Sequence, residues 1–264
     1  LNILGAVYAE INEPKEAEKN YKKAIEADSN YAQAYNNLGI LLHKSENIDE
    51  AIDYYKKAIN LKKDFAEAFN NLGSAKRALN KTNEAIEFFK KAVNLKSNYA
   101  EAYNNLGGTY YDLGNKDEAL ENFNKAIKIK PDYAEAYNHL GTVLRDLTRF
   151  DESLSSYYKS IEFKPDKEKV YNNLGNLYNN LGKYNEATQA YKKAIEIKPN
   201  YAMAHSNFLF NINYKKDFDP EEYLREAKNF RINCEPKKNF SLKYNFEKNP
   251  KKLRLGLVSA DFGN

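Results

Sequence analysis

Tryptophan is absent from this chain of 264 residues, and cysteine and methionine occur once each. Cys234 alone cannot close an intramolecular disulfide, so packing must hold the fold, and a reducing, cytoplasmic setting is the expectation. The three histidines, His43, His139 and His205, lack metal-ligand spacing, and neither a structural metal nor a cofactor is expected. No run of 18 apolar residues occurs, which excludes a helical membrane span and argues against a membrane partner. An excess of one charge is also missing: 41 basic residues stand against 37 acidic, leaving +4, and they alternate without forming a basic block. Nucleic acid is therefore not an expected partner. Paired carboxylates in a pocket pattern, Ser-His or Cys-His sets and phosphate-binding glycine loops are lacking, so no catalytic residue is expected within these residues. The start, Leu1-Asn-Ile-Leu-Gly5, shows no signal peptide and reads as the inside of a repeat.

What the chain does have is periodicity. Tyr31-Ala-Gln-Ala-Tyr-Asn-Asn-Leu-Gly39 returns at Phe65, Tyr99 and Tyr133, each start 34 residues after the last. A fixed period of about 34 with paired helical patterns marks a helix-turn-helix solenoid, in which each unit contacts only its neighbours. Leu4-Gly5 belongs to a partial first unit; full units run 31–64, 65–98, 99–132, 133–166 and 167–200, and a partial one begins at Tyr201. The array thus spans residues 1–214, followed by a capping helix and linker over 215–250 and a short strand segment over 251–264.

Within a unit, Tyr35, Leu38 and Leu42 share one helical face with Gly39, and Ala51, Tyr55, Ala58 and Ile59 share another. A glycine in mid-helix costs roughly 1 kcal/mol against alanine, so Gly39, Gly73, Gly107, Gly141 and Gly175 need compensation. Close approach of the paired helix through Ala51, Ala85, Ala119, Ser153 or Ala187 is the expected source. Gly107-Gly108 reads simply as mid-helix. Gly114 and Gly182 suit a left-handed turn between the two helices. Pro131, Pro165 and Pro199 should stop second helices firmly, and Ser29, Lys63 and Ser97 in the same place should stop them more softly.

Small residue, aromatic, Leu-Gly, then Ala, aromatic, Ala and Pro: over residues 1 to 214 this pattern resembles the tetratricopeptide repeat. The resemblance implies an all-α solenoid, a right-handed superhelix of antiparallel helix pairs that binds other polypeptides. Departures are Val170-Tyr171 after Lys167, where the Tyr-Ala opening is lost, and Phe208-Leu209 in place of Leu-Gly. The second departure points to a terminal unit packed against something else.

Directly before each Leu-Gly stand Asn37, Asn71, Asn105, His139 and Asn173, with Asn207 before Phe208. Asn is a mediocre helix former, but its amide offers donors and an acceptor together. A column of such amides would hold the backbone of an extended peptide irrespective of its side chains. The bland alternative is that they bond to the neighbouring unit or face water. His139 interrupts the column. Arg77, Tyr111, Arg145 and Asn179, at one place in successive units, are expected on the same inner face, where they would supply side-chain preference or simply be solvated. Lys56-Lys57, Lys90-Lys91 and Lys192-Lys193 should cover the convex outside with their stems on apolar surface. Outer aromatics would support a homodimer through that face.

After Tyr214 the period fails. Asp219-Pro-Glu-Glu222 reads as a helix start, with Tyr223, Leu224, Ala227 and Phe230 on one side. Leu253-Arg-Leu-Gly-Leu-Val-Ser259 reads as a buried strand leading to Ala-Asp-Phe-Gly-Asn264. Together with Ser206-Asn-Phe-Leu-Phe-Asn-Ile-Asn-Tyr214, these stretches resemble the junction between repeats and catalytic region in the O-linked N-acetylglucosamine transferase family and its O-fucosyltransferase relatives. The resemblance implies a strand that opens a Rossmann-like transferase lobe, a catalytic His just beyond Asn264, and an inner Asn ladder at Asn37, Asn71, Asn105, Asn173 and Asn207, with His139 a departure. The chain would then be the substrate-recognition arm of a protein glycosyltransferase and do no chemistry itself. A stand-alone scaffold or adaptor is the alternative. An RNA-binding repeat is disfavoured, since the polar residues are too uniform for a base code.

Overall fold

The computed structural model describes residues 1–214 and 219–234, and its secondary structure there is helical throughout. The strand read at 253–259 and the linker before it lie outside the described residues. Among the described residues, seven first helices alternate with seven second helices. The first helices are α1 (Asn2–Glu10), α3 (Ala32–Lys44), α5 (Ala66–Ala78), α7 (Ala100–Asp112), α9 (Ala134–Asp146), α11 (Glu168–Asn180) and α13 (Ala202–Ile212). The second helices are α2 (Pro14–Ala27), α4 (Ile48–Leu61), α6 (Thr82–Leu95), α8 (Lys116–Ile129), α10 (Phe150–Phe163), α12 (Tyr184–Ile197) and α14 (Pro220–Cys234). Among the described residues, no helix is long and apolar enough to cross a membrane.

From α3 on, each first helix packs on its own second helix and on the second helix before it, and successive first helices touch, whereas the backbones of the second helices stay apart, α12 and α14 being joined only by side chains such as the Lys192–Glu222 ion pair at 3.3 Å. First helices therefore line the tighter, concave side, and second helices form the outside. The exposed lysines of the second helices lie over rings there, with Lys57 Nζ 5.2 Å from the Tyr54 centroid and Lys91 Nζ 5.5 Å from that of Phe88. That is where the spacing placed them.

The mid-helix glycines are explained by rings rather than by the small residues alone. A Cβ on Gly39 would come within 2.7 Å of the Tyr55 ring, on Gly73 within 2.8 Å of Phe89, and on Gly175 within 2.5 Å of Tyr191. Tyr55, Phe89, Phe123, Tyr157 and Tyr191 are all buried, one per unit, each lying across the helix facing it. An aromatic ring buries about 150–250 Å², which outweighs the helix-propensity cost of the glycine beneath it. The alanines remain close: a Gly107 Cβ would lie 3.2 Å from the Ala119 carbonyl, and Ser153 Oγ donates to the Gly141 carbonyl at 2.7 Å.

Second helices stop in the same way whether or not proline follows. Lys62 and Lys96 cap their helices with φ, ψ of −132°, 98° and −138°, 90°, and Lys130, which precedes Pro131, does so with −127°, 91°. The soft stop expected at Ser29, Lys63 and Ser97 is thus not seen. At the end of α4 the next unit's opening ring adds packing, with Phe65 buried against Ala58 and Ala68. At the far end, Asp219 accepts from the Glu221 N–H and starts α14, which packs on α13 and completes the last pair. Phe208, standing where Leu would be, is buried with Tyr191 and Ile212, with Tyr223 packed against them. Of the residues expected on the inner side of α14, Leu224 instead points outward and is 58% exposed.

The turn inside each of the first six pairs puts one residue in the left-handed region: Asn12, Glu46, Asn80, Gly114, Thr148 and Gly182, with φ between 58° and 81°. Only glycine takes that conformation freely, and a β-branched residue there is strained by about 1–2 kcal/mol. Replacing the exposed Thr148 by Gly is expected to raise stability in urea titration by about 0.5–1 kcal/mol after allowing for glycine's extra chain entropy; a loss would show that the turn is not strained.

Candidate peptide-binding groove

Each first helix of a full unit presents two adjacent polar residues before Leu-Gly, and the structure gives them different surroundings. Asn36, Asn70, Asn104 and Asn172 are buried, whereas Asn37, Asn71, Asn105, Asn173 and Asn207 are half-buried on the concave side. The two sets are joined across unit boundaries. Asn71 Nδ2 donates to Asn36 Oδ1 at 3.0 Å, Asn105 to Asn70 at 2.9 Å, Asn173 to Asn138 at 3.1 Å and Asn207 to Asn172 at 2.9 Å. Asn37 makes the same link to Asn2 at 3.1 Å. Every link spans 35 residues, one more than the repeat.

His139 continues this column. Its Nδ1 lies 3.0 Å from Asn104 Oδ1, and because a carbonyl oxygen can only accept, that nitrogen carries the proton. The ring packs tilted on Phe123 at 5.3 Å between centroids. Burial lowers the His139 pKa, the carboxylates of Glu135 and Asp112 opposing and the cations of Arg77 and Lys169 reinforcing the effect.

The ladder amides are thus partly committed to holding the array together. Asn71 and Asn105 use one N–H each, which leaves their carbonyl oxygens and second N–H groups without a protein partner among the described residues, whereas Asn173 Nδ2 also reaches Thr142 and Asn207 Nδ2 also reaches Asn176. Gln33 Nε2 donates to Asn37 Oδ1 at 3.0 Å, so the first rung is more fully occupied.

The second row is also cross-linked. Arg77 Nε donates to Asp112 Oδ2 at 2.7 Å and Tyr111 Oη to Asp146 Oδ2 at 2.5 Å, again 35 residues on. Arg145 lies on its neighbour Asp146, at 2.9 Å, and Asn179 donates to Tyr191 Oη at 2.9 Å. Burial raises the Asp146 pKa, but the bonds from Tyr111 and Arg145 outweigh it and hold the carboxyl below its ordinary value. Tyr111 is pushed up to about 12 by burial and by the same carboxylate.

Two hollows in the concave face gather most of these residues. One, of about 280 Å³, brings together Arg77, Tyr111, His139 and Asn173 with Asp112 and Lys169. Another, of about 390 Å³, joins Arg145, Asn179 and Asn207 with Phe210. Asn37 lies apart, beside Ile40 and Lys44. Gly108 turns out to have a use of its own: a Cβ there would sit 3.2 Å from the Arg77 guanidinium, so its absence lets Arg77 lie flat across the groove floor. Asp112, Asp146 and Gly108 were not singled out from the sequence. The only signal of the two aspartates is the 35-residue offset from Arg77 and Tyr111, which has meaning once first helices are known to pack side by side.

Repeat models match most of the described chain: tetratricopeptide repeat over 1–64, 134–167 and 168–201, and TPR repeat over 73–114 and 107–147. The crystal structure of the MamA protein is 31% identical, with 65% of this chain and 93% of that one covered and a TM-score of 0.53. YrrB, described as a TPR protein with an unusual peptide-binding site, is 26% identical over 70% of this chain and 95% of that one, with a TM-score of 0.53. TTC0263, a thermophilic TPR protein of Thermus thermophilus, shares the fold at 23% identity and a TM-score of 0.61, covering 69% and 99% of the two chains. A comparison with curated proteins finds no match. The chain belongs to the tetratricopeptide repeat family.

His139 is held neutral, with its pKa in the folded state below the ordinary value of about 6.5. The unfolded chain therefore binds more protons below that pH, and stability contributed by the neutral ring is complete above about 6.5 and is lost as pH falls. Between about pH 6.5 and 5 His139 should cost the protein up to about 1.4 kcal/mol per pH unit in denaturant titrations, and His139→Asn should reduce the slope to that left by His43, whose pKa burial also lowers. Equal slopes for both proteins would contradict this.

Proposed function

We propose that the concave face holds extended polypeptide, with the half-exposed amides of the ladder bonding the ligand's backbone. The observation that carries this reading is the column at Asn37, Asn71, Asn105, His139, Asn173 and Asn207, one polar group per unit, with carbonyl oxygens at its centre that no described residue engages. The carbonyl oxygen and second N–H left over on Asn71 and Asn105 suit a peptide group of any sequence. The second row, Arg77, Tyr111, Arg145 and Asn179, would add side-chain preference around the hollows. The description of YrrB as a TPR protein with a peptide-binding site supports the same use of the fold here.

Alanine would be a poor test of the ladder, because it would strand the buried carbonyls of Asn36 and Asn70, at about 1–3 kcal/mol each, and the half-buried one of Asn138. The protein itself supplies a better one: histidine at position 139 keeps the inter-unit donor and removes the amide carbonyl. Asn71, Asn105 and Asn173 all replaced by His should retain the circular dichroism and melting behaviour of the parent. Binding of unstructured twelve-residue peptides, followed by fluorescence anisotropy, should weaken at least about tenfold, at about 0.5–1.5 kcal/mol per lost bond. Unchanged affinity would sink the ladder reading.

The resemblance at 206–214, 219–222 and 253–264 extends the proposal. The array would present acceptor polypeptide to a nucleotide-sugar-dependent protein O-glycosyltransferase domain, with no catalytic group contributed by the repeats. The alternative is a stand-alone scaffold, favoured by the near-complete coverage, 93–99%, of the MamA, YrrB and TTC0263 chains. In either setting a homodimer through the convex face would leave the groove free. The reading frame beyond Asn264 separates the two: a His soon after it, within a further domain, is expected for the transferase arm, and an immediate stop would establish the scaffold.

A further inference from the structure

One unit boundary differs from all others. Where the remaining units open with Tyr31, Phe65, Tyr99, Tyr133 or Tyr201, the sixth opens with Lys167. Except at Tyr31, which is exposed, the opening ring packs between successive units, most deeply at Phe65, which lies against Ala58 and Ala68 with Ala32 beside it. Adding three periods to those positions gives Ser160, Val170 and Ala134. All three line a cavity of about 360 Å³ beside Lys167. The register of the helix start is kept there, α11 beginning at Glu168 directly after Lys167 as α9 begins at Ala134 after Tyr133, although Lys167 is more extended, with φ −99° and ψ 107° against −80° and 82°. The cavity is the slot with its ring removed.

The other boundaries also show what such a slot binds. Lys62, Lys96, Lys130 and Lys198 place their ammonium groups 5.0, 4.8, 5.1 and 5.7 Å from the centroids of Phe65, Tyr99, Tyr133 and Tyr201. A cation over a ring face is attractive, and it recurs at each of these places. Lys164 holds the corresponding position, where the ring is replaced by Lys167. Lys167 and Lys169 join it at the cavity wall, facing Glu135 and Glu168, and Glu168 lies 3.7 Å from Lys198. Positive charge is left in excess. Asn138 and His139 also line the cavity, so it opens beside the ladder.

We propose that this slot is a specificity pocket for an aromatic side chain of the bound polypeptide, with an adjacent ligand carboxylate meeting Lys167 or Lys169. The ligand's ring takes the place of the missing Tyr or Phe, under Lys164. The proposal rests on the groove reading for its polypeptide ligand, but the pocket itself is testable with a small probe. Phenylacetate, cyclohexylacetate and acetate should be titrated into labelled protein while the backbone amides of Ser160 and Val170 are followed by NMR. Phenylacetate is expected to shift them and bind at least about fivefold tighter than either control, and Lys167→Tyr, which restores the ring, should abolish the difference. Lys164→Ala, which keeps the slot open, should reduce it. With peptides, an Asp-Phe-Asp centre in an unstructured twelve-mer should bind at least about tenfold tighter than Asp-Ala-Asp, and the gap should close in Lys167→Tyr. Equal shifts by phenylacetate and acetate, or a preference that survives Lys167→Tyr, would overturn the pocket. Phenylacetate binding without any peptide binding would instead remove the groove reading and leave the pocket standing.

Discussion

The link that the rest of the molecule depends on is the side-chain hydrogen bond between successive first helices, 35 residues apart. Ring-over-glycine packing makes each helix pair, but it acts inside one unit. The amide links, from Asn37 to Asn2 at one end and from Asn207 to Asn172 at the other, join the pairs on the concave side. Most of their acceptors are buried, so each such bond is electrostatically stronger than in water and costly to leave unmade. One polar row therefore sets the spacing of the first helices and also carries the groups offered to a ligand.

This double use explains why asparagine is tolerated in mid-helix. An alanine or lysine would suit an isolated helix better, yet neither can donate to a buried carbonyl and still present an acceptor to the groove. Where the protein departs from asparagine it keeps the donor, since His139 Nδ1 makes the same bond to Asn104. The second row obeys the same logic with charged and phenolic groups, from Arg77 to Asp112 and from Tyr111 to Asp146. Because a solenoid is stabilised by nearest-neighbour terms and each ladder amide bonds to the unit before it, losing one weakens a single interface.

The period of 34 made the helix pairs, their boundaries and the concave placement of Asn71 or Arg77 legible in the sequence, because they follow from spacing along one chain. What was not legible depends on contacts across units. Two asparagines stand side by side at 36–37 and at 70–71, and only the packing of first helix on first helix separates buried acceptor from half-exposed donor. Asp112 and Gly108 matter through Arg77 of the unit before them. Glu46 and Thr148 carry no turn signature, yet they adopt the same left-handed conformation as Gly114, because the helices on either side dictate it. Lys167 was visible as a departure, but that it vacates a slot required knowing where Phe65 lies.

The most direct test of the account is side-chain amide NMR of the asparagines during titration with unstructured peptides of differing sequence. The account predicts that the Nδ2 resonances of Asn71, Asn105 and Asn173 shift together with every peptide, while the circular dichroism of the array is unchanged. Shifts confined to the convex lysine-bearing helices, or ladder resonances that stay fixed as peptide saturates the protein, would contradict it.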